Sequence, residues 1–141
     1  MTKVLLLAGT RKGGLVFSSD ESRRKWNTSN LHFKAWNVMH MVMDPRDRRI
    51  HTAAVHPAFG PSTHYSDDFG ATWNQAQKSP DFERPSTSQR PLSTPEDARQ
   101  PEASIRNPEE VLKVWKIQPG LEHEPGTLYA GVEPAALFKS T

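Results

Sequence analysis

Glu133 is the carboxylate best placed for proton transfer, because it directly follows the apolar run Thr127 to Val132 and precedes Pro134, which holds its backbone. A general acid or base needs a carboxylate fixed in that way. His40 is the second catalytic candidate. It sits inside Val38-Met39-His40-Met41-Val42-Met43, and an imidazole titrating near neutrality can shuttle a proton or hold a ligand. If Met39, Met41 and Met43 share one face of this run, His40 points the other way with Val38 and Val42. Four residues suit substrate binding: Arg11, Lys12 and Lys116 as cations for an anionic group, and Trp36 as a flat surface on which a sugar ring stacks. His51, His56 and His64 show no recognised metal spacing, so no metal and no cofactor is assigned. Gly9-Thr10-Arg11-Lys12-Gly13-Gly14 lacks the spacing and the Lys-Ser/Thr ending of a phosphate loop, and no nucleophile elbow or zinc-protease pattern occurs.

Positioning these residues falls to a chain of 141 residues with 35% hydrophobic content, one ordinary domain in length. Mean hydropathy is -0.71, low for a chain that packs throughout. Lys plus Arg is 18 against 16 for Asp plus Glu, and a net charge of +2 gives no footprint for nucleic acid or an anionic membrane. The expected partner is a glycan or small-molecule ligand. Without cysteine there are no disulfides and no thiolate chemistry. The apolar run Val4 to Ala8 is too short for a secretory core or a membrane span, so the reading is a cytoplasmic protein.

One block recurs three times. The fullest copy has a strand at Arg49 to Val55, a second at Ser62 to Tyr65, and then Ser66-Asp67-Asp68-Phe69-Gly70-Ala71-Thr72-Trp73. That octapeptide fits the Asp-box pattern Ser-x-Asp-x-Gly-x-Thr-Trp at Ser66, Asp68, Gly70, Thr72 and Trp73. Gly70 supplies a positive φ, Asp68 bonds N–H groups inside the turn, and Trp73 opens the next strand with its ring between sheets. The first copy runs through strands Lys3 to Thr10 and Leu15 to Phe17. Its box is read from Ser18-Ser19-Asp20 to Trp26, without the glycine and one residue too long. The third copy has Thr127 to Val132 and Leu137 to Thr141. Phe17 and Tyr65 lie 48 residues apart (65 − 17), Tyr65 and Phe138 73 (138 − 65), so the second interval holds an insertion. It spans 78–108, with six of the chain's twelve prolines and few apolar residues, which predicts a mobile loop. Two further strands precede the later copies, Val38 to Met43 and Val111 to Ile117. A helix over 108–117 is the alternative for the latter, since Asn107-Pro108-Glu109-Glu110 has the form of a helix start.

Gly9-Thr10-Arg11-Lys12-Gly13, Ser66 to Trp73, and Gly126 to Phe138 together resemble the bacterial Asp-box, or BNR-repeat, β-propellers described as sialidase-like or glycosyl hydrolase-like. The resemblance implies an all-β fold of four-stranded antiparallel propeller blades, incomplete at about two and a half. Blade 1 spans 1–30 without its inner strand, blade 2 spans 31–77, the proline-rich loop 78–108, and blade 3 spans 109–141 without its outer strand. The chain thus reads as an N-terminal fragment of a glycoside hydrolase, inactive by itself. The alternative is a non-catalytic propeller that binds a protein or glycan. Propeller ligands sit on the axis, where Arg11, Lys12, Trp36, His40, Lys116 and Glu133 would face. The Arg-Ile-Pro signature of sialidases is absent, and no arginine here matches their carboxylate-binding trio.

Overall fold

In a computed structural model describing residues 3–82 and 110–140, the chain folds as three antiparallel sheets, with no helix among those residues. Sheet 1 contains β1 (Val4–Thr10), β2 (Gly13–Ser19) and β3 (Asn27–Thr28). Sheet 2 contains β4 (Asn37–Met43), β5 (Ile50–His56), β6 (Gly60–Ser66) and β7 (Asn74–Gln75). Sheet 3 contains β8 (Lys113–Pro119), β9 (Leu128–Glu133) and β10 (Ala136–Lys139). Each is a meander in which strands adjacent in sequence are adjacent in space, and the sheets stack face on face as successive blades of a propeller-like fold. The helix alternative over 108–117 gives way to β8, because Lys113 to Pro119 pairs along its length with β9. Of the proline-rich stretch, 83–108 lies outside the described residues. Its first residues pack: Ser79 Oγ lies 3.3 Å from Thr63 Oγ1, and the Phe82 ring 5.3 Å from that of Phe138.

Two apolar layers join the sheets. Leu5, Leu7 and Val16 of sheet 1 meet Val38, Met41 and Ala54 of sheet 2. Met39, Val42 and Ala53 on the other face of sheet 2 meet Val114, Ile117, Ala130, Val132 and Phe138 of sheet 3. Burying a side chain the size of Ile50 or Val114, both within 1% of full burial, contributes about 1.5–3 kcal/mol. The first strands of sheets 2 and 3 carry a bulge at the same place, between Val38 and His40 in β4 and between Val114 and Lys116 in β8. An extra residue there breaks the period of two. Val38 and Met41, three apart, therefore share one face, while Met39 and Val42 share the other. The bulge corrects the expected division of three methionines on one side and His40 with Val38 and Val42 on the other: Val38 joins Met41, and Met39 joins Val42, while His40 and Val42 share a side as expected.

The Asp box closes the β6–β7 turn. Ser66 Oγ donates to Asp68 Oδ1 at 2.7 Å and accepts from Gly70 N at 2.8 Å. Asp68 accepts from Thr72 N at 2.8 Å and from Thr72 Oγ1 at 2.6 Å. Gly70 has φ +91°, and a Cβ there would come within 2.9 Å of Val16 on sheet 1. The pairing also corrects the register of the repeat. Ser66 stands opposite Ile50, Ser19 opposite Val4, and Ser140 bonds Leu128. Aligned at Ser19, the first turn has the same length through Trp26 and places Arg23, with φ 54°, where the second has Gly70, but it carries Glu21 in place of Asp68 and closes instead through Asp20 on Ser22. In that register Phe17 matches His64 and Phe138, rather than Tyr65.

Arg46, in the β4–β5 turn, ties sheets 2 and 3. Its Nε and Nη2 hold buried Asp44, at 2.9 and 2.6 Å. Nη2 also donates to Thr127 O at 2.9 Å and Nη1 to the carbonyls of Leu121 and Glu124, all in the β8–β9 connection. The guanidinium keeps the Asp44 carboxyl below its usual range, so the clamp stays charged.

Candidate aromatic and basic rim

Strands β1, β5 and β9 all end where β4 and β8 begin, so the turns at 11–12, 57–59 and 134–135 gather at one end with the segments leading into β4 and β8. Lys12 O accepts from Ala35 N at 3.0 Å, which seats the basic turn of sheet 1 on the approach to Trp36. Phe33 and Ala35 take φ values of 50° and 68°, and the tight loop they form closes with Trp36 N donating to Phe33 O at 2.9 Å. Trp36 then lies edge-on to His56, at 4.6 Å and 82°. His56 Nδ1 accepts from Ala58 N and Phe59 N at 3.0 and 3.2 Å, and its ring stacks on Phe59 at 4.6 Å and 27°. Phe59 is 85% exposed. Beneath this shelf Phe33 packs on His64, whose Nε2 is 2.9 Å from Ser62 Oγ. Burial pushes the His64 pKa down, which keeps it neutral.

Of the residues singled out in the sequence, Arg11, Lys12, Trp36 and Glu133 come to this end. Glu133 is engaged there: its Oε2 accepts from Lys113 Nζ at 2.9 Å, and its carbonyl accepts from Leu112 N at 2.7 Å. The same ammonium lies 4.9 Å above the Trp115 ring. Lys116 is exposed and pairs opposite Gly131, further along β8. His40 does not join them. Its Nδ1 accepts from Ile117 N at 3.3 Å, across the junction of sheets 2 and 3, and burial, with the Lys116 charge second, lowers its pKa. Ile117 is four residues beyond Lys113, roughly 13 Å along a strand, so Glu133 and His40 do not form an acid–base pair. Trp73 packs as expected in the layer between sheets 1 and 2, whereas Trp115 and Trp26 are substantially exposed.

His56 and Phe59 carried no signal in the sequence beyond an aromatic at the tip of a turn. Their role depends on Asn37 pairing with Val55, which brings the start of β4 beside the end of β5. No protein-family model and no curated protein matches the chain. Chemically, the rim offers an exposed apolar shelf flanked by the basic Arg11-Lys12 turn. Such a surface stacks on the apolar face of a pyranose while cations take its hydroxyl or acidic groups.

Proposed function

We propose that the chain belongs to an Asp-box β-propeller that binds a carbohydrate at this rim without hydrolysing it. The observation that carries the reading is the shelf of Trp36, His56 and Phe59: a large apolar ring left in water, held rigid by a stacked histidine whose Nδ1 holds the turn. Ordering a ring before binding lowers the entropy cost of capture. Glycoside hydrolysis is the second reading, favoured by the Glu133 carboxylate held at the same end by Lys113. It is the weaker one, because the other catalytic candidate, His40, is spent on a backbone N–H elsewhere.

Calorimetric titration of the 141-residue chain with neutral and acidic oligosaccharides tests the binding reading. Phe59→Ala is expected to weaken binding about tenfold with an unchanged circular dichroism spectrum. Unchanged affinity in that variant removes the shelf from the site. Release of aglycone from aryl glycosides, abolished by Glu133→Gln, would transfer the conclusion to hydrolysis.

A further inference from the structure

The sheets pack by one rule, applied twice. Residues of β1, Leu5 and Leu7, cover the near face of sheet 2, and the equivalent face of sheet 2, through Met39 and Ala53, covers the near face of sheet 3. Two faces of the same kinds are left uncovered by any described residue. On sheet 1, alternation puts Val4, Leu6 and Ala8 with Leu15 and Phe17 on the side away from sheet 2. Leu6 is 48% exposed there, although the residues in its register position, Thr52 and Ala130, are 0% and 8% exposed beneath a preceding sheet. On sheet 3 the outer side presents Trp115 at 48%, Leu137 at 73% and Gly131, where a Cβ would meet nothing within 4 Å. The corresponding side of sheet 2 is covered.

We infer that a second copy of this chain covers both faces, sheet 3 of each copy packing on sheet 1 of the other to give a closed two-fold ring. Two copies bring six sheets, within the four to eight that close such a ring. The area is sufficient. The strands hold 7, 7 and 2 residues in sheet 1 and 7, 6 and 4 in sheet 3, so at about 16 Å² of sheet per residue the two faces measure roughly 250 and 270 Å². The two equivalent contacts cover two faces of each kind, about 1,050 Å², which clears the roughly 1,000 Å² expected of a specific interface. Two ion pairs, Lys113–Glu133 and Lys139–Glu124, flank the apolar centre of the sheet 3 face, and the exposed Lys116, opposite Gly131, is the one charge there among the described residues that the second copy must pair or leave at the edge of the contact. This inference is independent of what the rim binds.

Sedimentation equilibrium of the full chain tests it. The expected mass is twice 15.9 kDa, about 32 kDa. Leu6→Lys and Leu137→Glu each disrupt both contacts of a ring, so either variant alone is expected to sediment as a monomer, with its circular dichroism preserved because both sites are exposed. Mixing the two variants restores the dimer, since one contact is then native and the other pairs Lys with Glu. A monomeric native chain, open-ended polymers, or a dimer broken by only one of the variants would each overturn the ring.

Discussion

Asp68 illustrates how much chemistry a single residue of this fold stores. Hydrogen bonds from the Thr72 hydroxyl first, then the Thr72 N–H and Ser66, lower its pKa from 3.8 to about 2. A carboxylate with a depressed folded pKa stabilises the fold above its unfolded pKa, and that contribution is lost as pH falls from about 4 through about 2. Asp68→Asn is expected to flatten the dependence of thermal midpoint on pH across that window; a slope equal to that of the native chain would show the box contributes nothing. Histidines act at higher pH. Burial lowers the pKa of His32, His40, His51 and His64, so the folded chain holds these rings neutral and unfolding takes up protons. Stability should therefore decline as pH drops from about 7 to 5, and less so in His64→Gln. The box at Ser66 was legible because its side chains bond within the same eight residues. The box at Ser19 was misread by one position: adjacent serines offer two registers, and only pairing with Val4 selects between them.

At the scale of elements, strands were legible and their faces were not. Asp44-Pro45 marks where β4 stops, because proline has no N–H for a ladder, whereas β8 runs on through Pro119, which pairs with Leu128 before the turn. Bulges in β4 and β8 arise from pairing with β5 and β9, and no local pattern announces them. That is why Val38 and Met39 were assigned to the wrong sides. Ile50, at 0% exposure, anchors β5 between the box and the core, and Ile50→Ala is expected to cost about 3 kcal/mol in urea unfolding. A loss near zero would mean the site collapses around the smaller residue. Docking of sheet 3 rests on the planar fork of Arg46, which reaches Asp44 and three carbonyls at once. Lysine has one ammonium and cannot span them. Arg46→Lys should thus lower the thermal midpoint and expose the sheet 2–sheet 3 layer to a hydrophobic dye. Retention of both properties would locate the docking energy in the apolar layer alone.

The whole molecule sets what neither residue nor strand determines. The rim assembles because three meanders end at the same side, joining Lys12, Ala35, Trp36, His56 and Phe59 from segments distant in sequence. Sequence patterns named Trp36 but could not supply its neighbours. The same stacking leaves Leu6 and Leu137 exposed at opposite ends of the array, and covering them with a second copy couples folding to association. If unfolding releases two chains from one ring, mass action favours the folded state as concentration rises. Each tenfold increase then adds about 1.4 kcal/mol of apparent stability per ring, about 0.7 kcal/mol per chain, a rise of roughly 2–3 °C in the thermal midpoint. Scanning calorimetry of the native chain across two decades of concentration should show that rise. Leu137→Glu, which cannot close the ring, should unfold at one temperature throughout. A native midpoint equally insensitive to concentration would mean that each chain reaches its full stability alone, with both apolar faces open to water.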